Sequence, residues 1–253
     1  METITLQELY EYLNTLLEVA DFTDYSPNGL QVEGKIDIRK VAFAVSANLA
    51  TIQAAVGLGA DALIVHHGLF WKGDEYPIIG VKKKKLEILL KNQLSLLAYH
   101  LPLDAHPEIG NNGKAAADLG WKDIEPFGYL SGKPIGVVGS FPKMSRADFE
   151  KKLEEYYKHP VTAARGGKDF VESACLISGG AYKSVKEAAK AGADCFITGN
   201  FDLPAWDDAM ELGINFYAIG HTATEKIGPR ALKDAVKNRF GIECVFIDDD
   251  NPF

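Results

Sequence analysis

Two stretches of this chain match each other without a gap, and that match limits the fold more than any other feature. At a shift of 133 residues, VAFAVSAN (Val41–Asn48) falls on ACLISGGA (Ala174–Ala181), and GADALIVHHGLF (Gly59–Phe70) falls on GADCFITGNFDL (Gly192–Leu203). Further along, at a shift of 118, Ile109-Gly110 meets Ile227-Gly228, so the second copy has lost about fifteen residues by that point. Two copies are too few for a solenoid, so the match reads as a duplication. Each copy alternates apolar, β-branched runs with helical patterns. Strands fall near Val41–Val45, Ala62–Val65 and Leu94–Tyr99, then near Ala174–Ile177, Cys195–Thr198, Phe216–Ile219 and Cys244–Ile247. Short apolar strands covered by helices indicate an α/β protein. The sequence predicts two similar α/β halves from an internal duplication, with mixed or parallel sheets flanked by helices. The halves are expected at 1–126 and 127–253, forming one compact unit with the functional site between them.

Smaller signals fill in the frame. Leu6, Leu9, Leu13 and Leu16 recur at helical spacing, and Thr5 with Glu8 forms a capping-box pattern. Asp24–Gly34 is rich in turn residues and reads as a loop. Helices are expected over Leu49–Leu58, Val81–Lys91 and Ser145–Tyr157, a strand at Pro134–Gly139, and a loop at Arg165–Lys168. Lys82–Lys85 reads as an exposed helix face, and Phe70, Trp71 and Tyr76 as aromatic packing after the His pair.

With 47% hydrophobic and 25% charged residues, the chain belongs with globular proteins rather than disordered ones. Its net charge of -8 disfavours a nucleic-acid partner. The opening METITLQELYEYL has no basic segment followed by an apolar one, and no apolar run approaches the ~18 residues of a membrane span. A cytoplasmic protein without a membrane partner is expected. The three cysteines, Cys175, Cys195 and Cys244, form no CxxC pair, fit a reducing compartment and read as small hydrophobes.

The chemistry is concentrated in histidine and carboxylate. His66-His67-Gly68 follows one strand, and His100, Asp104, His106 and Glu108 follow another. His221 and Glu225, four apart, follow a third. Strand exits line the ligand crevice of α/β sheets, and imidazole with carboxylate suits Zn, Fe, Mn or Ni. A structural zinc needs four ligands and usually thiolates. Two ions sharing a carboxylate need five or more, which fits this count better. Either His100 or His106 could orient a ligand or carry a proton, and His100 is favoured because it directly follows its strand. No HExxH, GxxxxGK[ST] or GxSxG motif occurs.

The stretches PNGLQVEG, GADALIVHHGLFW, AYHLPLDAHPEIGNN, GADCFITGN and GHTATEKIGPRAL run from Asp24 to about Leu232. Through them the chain resembles the Ngg-interacting-factor-three-like family, whose bacterial members go by the name GTP cyclohydrolase I type 2 homologues. The resemblance implies a dinuclear metal centre on His66, His67, Asp104, His221 and Glu225, with Glu225 the bridge. It also implies a homohexameric ring, a trimer of dimers, and a chain lacking the inserted domain of longer relatives. The implied activity is metal-dependent hydrolysis of GTP cyclohydrolase type, with two divalent ions and an activated bridging water acting on a nucleotide ring or phosphoester. The alternative is a metal-binding or regulatory ring without turnover. Where family members often carry an acidic residue after Thr-Gly of the second repeat, Asn200 follows Thr198-Gly199, which removes one candidate proton relay.

Overall fold

The computed structural model describes residues 2–253, whose contacts divide the chain into two units. The first ends at Leu103 and resumes over Pro229–Asp250; the second comprises Asp104–Gly228 and Asn251–Phe253. The contacts therefore do not divide at the expected 126/127 boundary.

In the first unit β1 (Ile4–Thr5) leads into α1 (Leu6–Leu16). The Thr5 hydroxyl accepts from Glu8 N at 3.1 Å and Glu8 accepts from Thr5 N at 2.7 Å, so the capping box is real. Then come β2 (Gly29–Val32), β3 (Asp37–Ile38), β4 (Lys40–Ser46), α2 (Leu49–Gly57), β5 (Ala62–His67), α3 (Gly80–Lys91), β6 (Ser95–Ala98) and α4 (Leu101–Ala105). β4, β5 and β6 run parallel and β2 joins the β6 edge antiparallel. β2 lies inside the segment read as a loop. The bend falls at Tyr25-Ser26, and the backbone groups from Gly29 onward find partners on β6.

The second unit follows with α5 (Asn111–Asp118), β7 (Lys122–Leu130), β8 (Lys133–Ser145), α6 (Arg146–Tyr157), β9 (Thr162–Arg165) and β10 (Phe170–Leu176). It continues through α7 (Val185–Lys190), β11 (Cys195–Thr198), α8 (Leu203–Leu212), β12 (Asn215–Ala218) and α9 (His221–Glu225). Its sheet order is β7-β8-β10-β11-β12-β9. The Pro134–Gly139 strand is the middle of a longer β7–β8 hairpin that the sequence pattern did not reveal. α10 (Ile227–Phe240) then leads to β13 (Glu243–Phe246), which pairs parallel with β4, and this pairing returns the end of the chain to the first sheet. Among the described residues no helix is long and apolar enough to cross a membrane.

The duplication extends to single hydrogen bonds. β4 and β5 align Val41 with Ala62; β10 and β11 align Ala174 with Cys195, the same residues moved by the 133-residue shift. The antiparallel edge strands Gly29–Val32 and Thr162–Arg165 differ by that shift as well. Asp61 accepts from Lys35 Nζ at 2.7 Å and Arg39 N at 3.0 Å. Its counterpart Asp194 accepts from Lys168 Nζ at 2.9 Å and Glu172 N at 3.0 Å. The repeated Gly-Ala-Asp is thus a buried carboxylate satisfying backbone N–H groups near the start of each sheet, a structural device retained in both copies.

Candidate metal centre

In the first unit the three imidazoles of His66, His67 and His100 come together at the exits of β5 and β6. One ligand atom from each lies within 4.8 Å of the others. His66 is fully buried, and its Nδ1 lies 3.0 Å from the carbonyl of Tyr99. His67 Nδ1 meets Ser46 Oγ at 3.0 Å, and His100 Nδ1 meets Asp24 Oδ1 at 2.8 Å. Trp71 packs edge-on against His100, with centroids 5.1 Å apart, so this aromatic walls the imidazoles. Tyr76, by contrast, is 98% exposed and takes no part.

The PNGLQ motif explains how these loops are held. Asn28 Oδ1 accepts from His100 N at 2.7 Å, and Gln31 Oε1 accepts from Leu69 N at 2.8 Å. Asp24 accepts from Asn28 Nδ2 and from Leu101 N, both at 2.9 Å. Burial pushes the Asp24 carboxyl up, but the hydrogen bond and charge of His100, with those from Asn28 and Leu101, outweigh it. The pKa settles at about 2. Asp24 is therefore ionised at neutral pH.

In the second unit Asp104 is buried, and its Oδ1 accepts from Asn111 Nδ2 at 2.8 Å and Ser178 Oγ at 2.9 Å. Asn112 braces the same loop: its Oδ1 accepts from Ser178 N at 2.7 Å and its Nδ2 donates to Ile135 O at 2.6 Å. His221 and Glu225 lie one turn apart on α9, Nε2 to Oε1 3.1 Å. Gly179, at φ 65°, passes so close that an added Cβ would run into Glu225 Oε1, so only glycine lets the backbone approach this carboxylate. His221 Nδ1 lies 3.1 Å from Asn200 Oδ1. Asn200, read from sequence as a lost relay, holds a histidine.

All four imidazoles are gripped at Nδ1 by the chain. Carbonyl, carboxamide and carboxylate oxygens can only accept, so Nδ1 carries the hydrogen in His66, His221 and His100. Nε2 is then the nitrogen with a lone pair for a metal. This is the arrangement by which proteins orient metal-binding histidines, and it is the test the residues pass as ligands. The cysteines fail it. Burial pushes Cys175 up to about 12 and Cys244 to about 11, and raises Cys195 as well, so none offers a thiolate.

The other two histidines have structural duties. His106 Nδ1 accepts from Glu108 N and Ile109 N, both at 3.2 Å, closing a turn. His159 places Nδ1 2.8 Å from Pro160 O and Nε2 3.0 Å from Pro252 O. It lines a cavity of about 560 Å³ with Asn200, Phe201, His221 and Phe253. Sequence reasoning missed Asp24, Ser46, Asn111 and Ser178 as supports. Only the Asp24 signal was visible, as a carboxylate beside the Pro-Asn-Gly turn.

The family of proteins described as Duf34/NIF3 (NGG1p interacting factor 3) matches residues 4–252. The chain belongs to the Duf34/NIF3 family. It is 53% identical over 253 residues to the GTP cyclohydrolase 1 type 2 homolog of Chlamydia muridarum, covering 99% of this chain and 100% of that one. A solved structure described as protein ybgI, of unknown function, superposes with a TM-score of 0.92 at 38% identity, covering 99% and 100% of the two chains. TTHA1606 from Thermus thermophilus gives 0.90 at 36%, with the same coverage. In this Duf34/NIF3 chain His and carboxylate side chains form candidate metal-binding groups.

Proposed function

We propose that this Duf34/NIF3 chain is a metal-dependent hydrolase holding two divalent ions on His66, His67, Asp104, His221 and Glu225. The observation that carries the reading is the grip on the His66 and His221 imidazoles at Nδ1, which dedicates their Nε2 atoms to ligation. The donor set supports it: imidazoles and carboxylates suit divalent ions, and a pair of ions sharing a carboxylate takes five or more protein ligands. When bound, such ions supply Lewis acidity toward a carbonyl, ring carbon or phosphoryl group and lower the pKa of water.

His100 has a different task. Its Nδ1 partner is a buried carboxylate, while those of His66, His67 and His221 are neutral. With Nδ1 held by that carboxylate, His100 is the imidazole equipped to pass a proton at Nε2. We assign it as the acid–base residue, with Asp24 positioning it. The name borne by the Chlamydia relative supports a nucleotide ring or phosphoester as substrate, GTP foremost. The same reading places the protein in the cytoplasm as a ring of six chains.

Protein purified without chelators is analysed for metal, then given GTP and a phosphoester panel beside His66→Ala and Glu225→Ala. The reading predicts about two ions per chain and turnover lost in both variants. Turnover that survives in both refutes a metal-centred reaction. Tight metal with no turnover on any substrate replaces the hydrolase with a metal-binding ring.

A further inference from the structure

The cavity beside His221 in the second unit has a volume of about 560 Å³, within the range of small-molecule sites. Among the described residues that line it there is no lysine or arginine, so its walls carry no permanent cation for a phosphate. Two of the lining residues are aromatic, Phe201 and Phe253. Phe201 is braced edge-on against Phe216, with ring centroids 5.5 Å apart. Phe253 is 76% exposed, yet its backbone is held on both sides. Its N–H donates to Asn251 Oδ1 at 3.0 Å, its carbonyl accepts from Thr222 N at 2.7 Å, and His159 Nε2 lies 3.0 Å from the carbonyl of Pro252. A bare aromatic ring on a fixed backbone can stack on a planar ligand with little further ordering.

Asn200 supplies the polar contact. Its Oδ1 is engaged by His221 Nδ1 at 3.1 Å. Its Nδ2 then has two hydrogens to give and no partner among the described residues, on an exposed side chain that lines the cavity. The amide cannot turn over without setting its NH2 against the N–H of His221. We propose that the cavity binds a planar heteroaromatic ring bearing an exocyclic carbonyl, as in hypoxanthine or guanine, stacked on Phe253 and hydrogen-bonded at that oxygen by Asn200 Nδ2. The inference rests on the hydrolase reading in one respect: an Nε2 given to a metal keeps the hydrogen on Nδ1 of His221, and so keeps the Asn200 amide turned this way. It narrows that reading to substrates with such a ring. An amino group in place of the carbonyl would set donor against donor. Phe253 stacks on any base and sets affinity; Asn200 sets the choice between bases.

The test compares inosine, with an oxygen at position six, and adenosine, with an amino group there. Binding is read by equilibrium dialysis against the full chain, metal-loaded and metal-free, with both nucleosides quantified afterwards. Wild type is expected to bind inosine on the order of tenfold more tightly. Asn200→Asp turns the donor into an acceptor and should reverse the preference, while chelator competition shows metal held at least as tightly. A residue that merely supported His221 would move the metal and leave the choice of nucleoside alone. Phe253→Ala should weaken both nucleosides about tenfold and leave their ratio unchanged. Both side chains are exposed, and unchanged circular dichroism checks folding. Equal affinities in wild type, no binding of either nucleoside, an Asn200→Asp chain that still prefers inosine, or a Phe253→Ala chain that binds as wild type overturns the proposal. The two readings fail separately. A chain that takes up no divalent ion defeats the hydrolase, and the dialysis still decides the ring site by the same criteria; a metal-loaded chain indifferent to the exocyclic group defeats the ring site alone.

Discussion

Asp24→Asn isolates the carboxylate behind His100. The Asp24 side chain is 3% exposed, so solvent screens its interactions little. Its pKa falls from 3.8 to about 2 in the folded chain. At 1.36 kcal/mol per unit, that difference is worth about 2–3 kcal/mol of stability at neutral pH. The sign follows from the depression. The contribution is complete above the ordinary carboxylate range and is lost as pH falls through about 2, with about 1 kcal/mol already gone at pH 3. Asn keeps the shape but turns an NH2 toward Leu101 N or Asn28 Nδ2, so the variant loses at least that 2–3 kcal/mol at pH 7. Urea unfolding of metal-free protein, followed by circular dichroism at pH 7, 5, 4 and 3, gives the gap between wild type and variant. The gap should hold between pH 7 and 5 and narrow toward pH 3. A gap that stays constant over the whole range would mean that the charge of Asp24 contributes nothing, and the case for a carboxylate-backed His100 would fall with it.

Asn200→Asp puts an anion behind His221 and should tighten divalent-metal binding, while Asn200→Leu should weaken it about 10–100-fold, read by chelator competition. Ser178→Ala removes one donor to Asp104 Oδ1 and should lower metal affinity in the same assay without shifting the melting temperature of metal-free protein by more than a few degrees. Asp61→Ala and Asp194→Ala strip equivalent carboxylates from the two units and should each cost about 3 kcal/mol in urea unfolding; a large disparity would argue against equivalent roles. Gly220→Ala places a Cβ 2.8 Å from His159 Nε2 at φ 82°, and should cost about 1–3 kcal/mol by the same measurement.

The fold was legible where the pattern was local. Apolar runs announced β4, β5, β11 and β12, and Thr5 and Ser145 announced the starts of α1 and α6. β2 and the β7–β8 hairpin were not legible. β2 starts at the glycine of the Pro-Asn-Gly cluster, and six residues of β7 are exposed, so neither carries a buried alternation. Their reason for being strands is hydrogen bonding to partners remote in sequence, which no local window contains. The return of the chain to the first sheet was not legible either: β13 pairs with β4, some two hundred residues away.

The same distinction governs the site. Ligand types are local and stood out as His66-His67 and His221–Glu225; the groups orienting them are distant in sequence. Asp24 reaches His100 across 76 residues and Ser178 reaches Asp104 across 74. The duplication gives this a direction. Asp61 and Asp194 kept the same partners in both copies, whereas the β5 exit carries His66-His67 where the β11 exit carries Gly199-Asn200. Structural carboxylates at the start of the strands stayed alike while the strand exits diverged. On this reading Asn200 stands where the first copy has His67, and it grips an imidazole in place of being one. A duplicated sheet can thus carry an imidazole at one strand exit and a support for an imidazole at the other without altering the strands beneath it.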